Sequence, residues 1–253
     1  MNTTANSQQR IALVTGAGSG IGEACAHNLA RNGYHVVVVD LEAQRATKVT
    51  AAIEADGGRA EPAVLDVADA PAVDALVADV VARHGRLDAA VNNAGIGTGR
   101  ASVADIDLNS WHRTIDVNLH GTLYCLRAEL RAMRSQGYGA VVNMGSIMSV
   151  LGSEQTAAYA ASKHAVLGLT RTAALDHAKD GIRVNCVCPG FVRTDLFETT
   201  LIQEQQDFIT AQHPRGQVAA PHEIAALVSF LLSDAAANMT GGYYANDGGY
   251  TVR

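Results

Sequence analysis

Apolar residues along this chain alternate between two arrangements. Near-continuous β-branched or apolar runs recur at 11–15 (IALVT), 35–39 (HVVVV), 63–65 (AVL), 87–91 (LDAAV), 139–144 (GAVVNM) and 182–187 (IRVNCV). Runs of this kind predict strands buried on both faces, as in a parallel sheet covered by helices. Between them the apolar period lengthens: Ile21, Cys25 and Leu29; Val73, Leu76, Val77, Val80 and Val81; Ile224, Leu227, Val228 and Leu231. Each set marks one face of a crossover helix. Asn32-Gly33, Gly57-Gly58 and Gly85 stand where such helices would stop in a left-handed turn.

The alternation gives six strands by about residue 190, and YYAND at 243–247 adds a seventh. Right-handed crossovers then predict an α/β fold: a Rossmann-like, doubly wound, seven-stranded parallel sheet with helices on both faces. One domain over 1–253 accommodates this, with a polar, partly helical insertion at about 193–218 placed to act as a substrate lid.

Composition narrows the function classes. Aromatic residues are 5% of the chain and apolar residues 48%, which suits Ala, Val, Ile and Leu packing of helices on a sheet. The net charge of −6 and scattered basic residues exclude a nucleic-acid partner. The opening MNTTANSQQR has no apolar core and no eighteen-residue apolar run follows, so the expectation is a cytoplasmic protein with no membrane partner. Cys25, Cys125, Cys186 and Cys188 are too dispersed for a disulfide scaffold. Cys186 and Cys188 point the same way along a strand without further ligands, the nine histidines show no metal-like spacing, and no metal is expected. His164, beside Lys163, points elsewhere on its helix and reads as structural or interfacial.

Candidate chemistry begins after the first strand, in TGAGSGIG, with Gly16, Ser19, Gly20, Ile21 and Gly22. Glycines here would let backbone N–H groups approach a pyrophosphate, at a helix N-terminus that favours the anion. Asp40 ends the second strand eighteen residues beyond Gly22. A carboxylate there accepts hydrogen bonds from ribose hydroxyls and repels a 2′-phosphate, which selects NAD; Ser19 and Leu41 are neutral and offer no counter-charge. The alternative is that Asp40 caps the helix starting near Glu42.

These features, taken with Asn92-Asn93-Ala94-Gly95, Asn118 in DVNLHG, Ser146 thirteen residues before Tyr159, YAASK from Tyr159 to Lys163, and Pro189-Gly190, resemble the short-chain dehydrogenase/reductase family over essentially the whole chain. The resemblance implies a catalytic set of Asn118, Ser146, Tyr159 and Lys163. Tyr159 and Lys163, at i and i+4, share a helix face, and an adjacent ammonium with an oxidised nicotinamide favours the phenolate. Lys163 would also donate to the nicotinamide ribose, Ser146 would orient the substrate oxygen, and Asn118 would hold a water for a proton relay. Cofactor contacts implied alongside are Asp66 and Val67 at the adenine, Asn93, Ala94 and Gly95 near the adenosine, and Val192 and Thr194 at the carboxamide. Asp66 is equally placed to cap the helix near 70. Met148, Phe191, Leu196 and Phe197 would line an apolar substrate pocket with Ile96 and Gly97 near its floor.

The expected function is NAD-dependent interconversion of a small-molecule secondary alcohol and ketone, Tyr159 acting as acid and base. The alternatives are an NADPH-dependent reductase of 3-oxoacyl thioesters and a non-catalytic NAD-binding scaffold. Family resemblance also implies a homotetramer, built in part on helices at about 109–135 and 157–178.

Overall fold

Successive residues of the first strand, β1 (Arg10–Thr15), face opposite layers: Ala12 and Val14 pack into one core cluster, Ile11 and Leu13 into another. The next strand, β2 (Tyr34–Asp40), repeats the division, with Val36 and Val38 on the first side and Val37 and Val39 on the second. Both faces of these strands are therefore dry, which is why their sequences are unbroken in apolar residues rather than alternating.

The computed structural model describes residues 9–200 and 202–252, the side chains of Asp195, Leu196 and Thr200 excepted. The remaining strands are β3 (Arg59–Val64), β4 (Ala89–Asn92), β5 (Gly139–Met144), β6 (Ile182–Pro189) and β7 (Tyr243–Asn246), and the parallel sheet runs β3-β2-β1-β4-β5-β6-β7. Helices α1 (Gly20–Arg31), α2 (Ala43–Ala55) and α9 (Pro221–Leu232) cover one face through Cys25, Leu29, Val49, Ile53, Val228 and Leu231. On the other lie α3 (Ala70–His84), α5 (Thr122–Gln136) and α6 (Ala157–His177), contributing Val77, Val80, Leu126, Met133 and Ala173. Among the described residues no helix is long and apolar enough to cross a membrane.

Three expectations are refined. The third strand begins at Arg59 rather than Ala63. It is an edge strand, where one side meets solvent, and so it admits Arg59, Glu61 and Pro62, which interrupt the apolar run. The long helix expected at 109–135 is divided into α4 (Leu108–Ile115), a π-helical turn over Asp116–Gly121, and α5. The insertion after β6 carries two short helices, α7 (Asp195–Thr200) and α8 (Gln203–Ala211).

Beneath the sheet's second face, Glu129 of α5 is wholly buried. Its Oε2 accepts from Asn92 Nδ2 at 2.9 Å, and Asn92 Nδ2 also donates to Asn143 Oδ1 at 3.0 Å. Asn143 in turn donates to Thr170 Oγ1 at 2.9 Å. Burial pushes the Glu129 carboxyl up from 4.5 to about 7 against the opposing hydrogen bond from Asn92. The folded chain thus holds a proton that the unfolded chain releases near 4.5, so this group's contribution is greatest below that pH, falls as pH rises to about 7, and is level above it. The difference corresponds to about 3 kcal/mol. Chemical denaturation of Glu129→Gln at pH 5 and pH 8 is expected to show the variant gaining stability relative to the parent at pH 8 by that order; an equal difference at both pH values would contradict the assignment.

Candidate active site

The strand order reverses between β1 and β4, whose crossovers leave toward opposite faces, and this opens a crevice at the carboxyl edge of the sheet. A cleft of about 710 Å³ occupies it. The turn after β1 forms one wall. Gly16 and Gly20 have φ of +61° and +58°, in the left-handed region that favours glycine. A Cβ on Gly22 would lie 2.1 Å from Gly16 O and 2.6 Å from Asn93 Nδ2, so this glycine holds the turn against α1 from outside the cleft lining.

Asn93 closes the turn from the β4 side. Its Nδ2 donates to Thr15 O at 3.0 Å and Gly16 O at 3.1 Å, while Thr15 Oγ1 accepts from Asn93 N at 3.0 Å and Ala94 N at 3.1 Å. Ser19 is the N-cap of α1 and its hydroxyl makes no capping bond, which leaves it, with Gly20 and Ile21, directed to the cleft at a helix N-terminus.

Asp40 closes the far end. Its Oδ2 accepts from Gly18 N at 2.9 Å and its Oδ1 from Glu42 N at 3.0 Å. The N-cap of α2 is Glu42, so the capping alternative for Asp40 gives way: the carboxylate joins the Gly-rich turn to the end of β2. Leu41 lines the cleft beside it. Arg45, one turn into α2, also reaches the rim and was not anticipated; its Nε pairs with Glu42 Oε2 at 3.0 Å. Beside Asp40, whose carbonyl accepts from Leu65 N at 3.1 Å, Leu65, Asp66 and Val67 also line the cleft. Asp66 does not cap α3. That position is Asp69, which accepts from Ala72 N at 3.1 Å, whereas Asp66 Oδ1 accepts from Ala68 N at 2.9 Å within its own loop.

The catalytic candidates gather beyond the ends of β4 and β5. Ser146 follows β5 and starts a 3-10 turn over Ile147–Ser149. Its Oγ accepts from Met148 N at 3.1 Å, and its own N–H donates to Ser149 Oγ at 3.2 Å. The hydroxyl proton remains available to a ligand. Tyr159 and Lys163 stand one turn apart on α6 and face the same cleft as Ser146. Lys163 is 5% exposed, its Nζ donates to Met144 O at 2.8 Å, and it lies 5.5 Å from the Tyr159 ring centroid. An ammonium has three donors, so this bond leaves others for a ligand.

Asn118 sits in the π-helical turn, fully buried. Its Oδ1 accepts from Ile96 N at 2.8 Å and its Nδ2 donates to Ile96 O at 2.9 Å, so the side chain fixes the loop after β4; its main-chain carbonyl accepts from Thr122 Oγ1 at 2.8 Å. Gly95 completes this corner, where a Cβ would come 3.3 Å from Asn118 Oδ1 and 3.7 Å from Lys163 Nζ.

The chain leaving β6 forms the last wall. Pro189, Gly190, Phe191, Val192, Thr194 and Phe197 line it. Val192 is held by a bridge to Ala219, Thr194 N donates to Val192 O at 2.9 Å, and Thr194 lies over Gly20. Ile96 and Gly97 face them. Met148 lies outside the lining, and the side chain of Leu196 lies outside the described residues. Val39, Glu42, Met144 and Gly145 line the cleft without having been anticipated. A Cβ on Gly145 would come 2.5 Å from Cys188 Sγ and 2.7 Å from Cys186 Sγ, which places the two cysteines directly beneath the site; their sulfurs lie 3.5 Å apart.

A nicotinamide dinucleotide fits this donor set: a Cβ-free cradle at a helix N-terminus, a carboxylate at one end, and a buried ammonium with spare donors at the other. A family model described as enoyl-(acyl carrier protein) reductase matches residues 16–251. The cyclohexanol dehydrogenase of Acinetobacter sp. (strain SE19) is 40% identical over 244 residues, 96% of this chain and 96% of that protein. The crystal structure of a putative NAD(P)-dependent gluconate 5-dehydrogenase from Beutenbergia cavernae, with NADP bound at low occupancy, has a TM-score of 0.90 and 39% identity, covering 96% of this chain and 97% of that one. An NAD+-bound xylitol dehydrogenase structure has a TM-score of 0.90 and 32% identity, covering 95% of this chain and 99% of that one.

Proposed function

The chain belongs to the short-chain dehydrogenase/reductase family, and on that premise we propose that it interconverts a cyclic or small apolar secondary alcohol and its ketone with NAD(H), Tyr159 acting as acid and base. The observation that carries this reading is the shared cleft: Ser146, Tyr159 and Lys163 line one end of it and Asp40 the other.

The nicotinamide, when bound, supplies or takes up the hydride. The chain's own residues handle binding and the proton. Ser146 Oγ–H donates to the substrate oxygen, holding it toward Tyr159. In the oxidative direction the Tyr159 phenolate oxygen takes the hydroxyl proton, and in reduction the phenol returns it. The buried Lys163 ammonium stabilises the negative charge that Tyr159 carries between the two events. Asn118, through Ile96, keeps the loop after β4 pressed against this corner.

Ile96, Phe191 and Phe197 bring no charge to the substrate end. That lining supports an apolar ring over a charged sugar acid, in agreement with the name of the cyclohexanol dehydrogenase among the relatives. The carboxylate of Asp40 supports NAD over NADP, because a 2′-phosphate would meet a negative group already fixed by two backbone N–H donors. Arg45, the cation near enough to answer such a phosphate, is engaged by Glu42.

A second reading is reduction of a 3-oxoacyl thioester with NADPH, and the description of the matching family model supports it only in naming a carrier-protein thioester as substrate. Initial rates of cyclohexanone reduction with NADH and with NADPH separate the two. NADH is expected to give the higher kcat/KM by at least about tenfold, the equivalent of one unfavourable charge contact of ~1.4 kcal/mol. Equal rates, or a preference for NADPH, would overturn the cofactor assignment.

A further inference from the structure

At the opposite end of the sheet from the cleft, three side chains from three elements converge. His35 is the second residue of β2, Glu61 lies in the edge strand β3, and His84 is the last residue of α3. Glu61 Oε1 lies 3.2 Å from His84 Nε2, and Glu61 Oε2 lies 3.5 Å from His35 Nε2. The two imidazole centroids are 4.9 Å apart, and one ligand atom from each of the three residues falls within 4.8 Å of the others. His35 Nε2 is buried and makes no hydrogen bond.

A tetrahedral zinc ion with ligands at 2.0–2.2 Å separates adjacent ligand atoms by roughly 3.3–3.6 Å. Each imidazole nitrogen lies at that order of distance from a different oxygen of Glu61, and one atom from each residue within 4.8 Å of the others needs only side-chain rotation to close on one ion. We propose that His35, Glu61 and His84 form a divalent-metal site for Zn2+, with solvent as the fourth ligand, bracing the edge strand against the end of α3. Two imidazoles and one carboxylate suit a borderline ion such as zinc, whereas Mg2+ and Ca2+ prefer an all-oxygen shell. The role is structural: His35 precedes Asp40 by five residues of extended strand, roughly 16 Å from the cleft. What the brace holds is the strand that leads into Leu65, Asp66 and Val67.

A cation already sits against two of the three side chains. Arg83 is the competitor. Its Nη1 donates to Glu61 Oε2 at 2.7 Å and lies 3.2 Å from His84 Nε2, while its Nε donates to Asp79 Oδ2 at 2.7 Å. Metal entry requires the guanidinium to leave Glu61, and Asp79 gives it a place to remain.

The test is titration of untagged, chelator-treated full-length protein with Co2+, followed by its visible absorption, and then with Zn2+. Tetrahedral cobalt bands saturating at one ion per chain, abolished by Zn2+ and accompanied by a zinc-dependent rise in Tm, are expected. His84→Asn should remove both signals, with His35→Asn giving the same loss should the first variant fold poorly. His222→Asn, an exposed histidine on α9, should leave them intact. Arg83→Ala should tighten cobalt binding by about tenfold, the equivalent of removing one competing charge-assisted hydrogen bond to Glu61. The site is ruled out by absence of the bands in the parent, by their persistence in both His35→Asn and His84→Asn, or by an Arg83→Ala variant that binds cobalt no more tightly.

Discussion

Tyr159→Phe is expected to lower kcat for alcohol oxidation by roughly 10³-fold, the usual scale for loss of a positioned acid–base group. The phenylalanine ring keeps the shape of the residue on α6, and the Lys163 donors, the Gly-rich turn and Asp40 are untouched. NAD+ affinity measured by fluorescence quenching should therefore stay within about twofold of the parent, so that the loss falls on the chemical step alone. If Ser146 were the proton acceptor, the same substitution would cost little and Ser146→Ala would carry the large effect. The geometry argues otherwise: Ser146 Oγ is already engaged by Met148 N and has no nearby base of its own among its hydrogen-bond partners in the described residues, whereas Tyr159 has an ammonium one helical turn away.

Gly22→Ala should be the most damaging single-methyl change in the cofactor cradle. The added Cβ would meet Gly16 O at 2.1 Å, and that oxygen belongs to backbone already fixed by Asn93 Nδ2. The turn has to shift, and overpacking of this kind costs about 1–3 kcal/mol, so NAD+ affinity should fall by roughly 10- to 100-fold, with a lower Tm. Gly168→Ala, on α6 with no atom within 4 Å of the new Cβ, is the control: NAD+ affinity should be unchanged and Tm unchanged or slightly raised, since Ala is the better helix former. Calorimetric titration of both variants with NAD+ decides the matter; parental affinity in Gly22→Ala would mean that the turn is not the pyrophosphate cradle.

The fold was legible where one physical demand governs many residues. Strands covered on both faces must be apolar throughout, and Val36 to Val39 announce this directly. Legibility ended where local exceptions are tolerated. The edge position of β3 admits Pro62 and charged residues, so its first half did not look like a strand. The π-helical turn at Asn118 leaves no periodicity of its own, only a polar residue inside a helix.

Within the site, the Gly-rich turn, Asp40, Ser146, Tyr159 and Lys163 could be named because each carries a residue type that the chemistry demands, and the structure places them around one cleft. Arg45 escaped notice because only the winding of α2 returns it to the rim beside Asp40. Met148, expected among the apolar residues of the pocket, lies outside the lining, in the 3-10 turn where its N–H bonds Ser146 Oγ. The His35, Glu61 and His84 cluster was invisible for a topological reason: its members are 26 and 23 residues apart in sequence and meet only once β2, β3 and α3 have packed.

In the proposed reaction a hydride moves between a carbinol carbon and nicotinamide while Tyr159 handles the hydroxyl proton. Cyclohexanol deuterated at the carbinol carbon, incubated with NAD+ and the enzyme, tests it most directly, with the coenzyme product analysed by mass spectrometry. Deuterium-labelled NADH, formed by the parent and roughly 10³-fold more slowly by Tyr159→Phe, is the predicted result; unlabelled NADH, or label appearing at an equal rate with the variant, would contradict it.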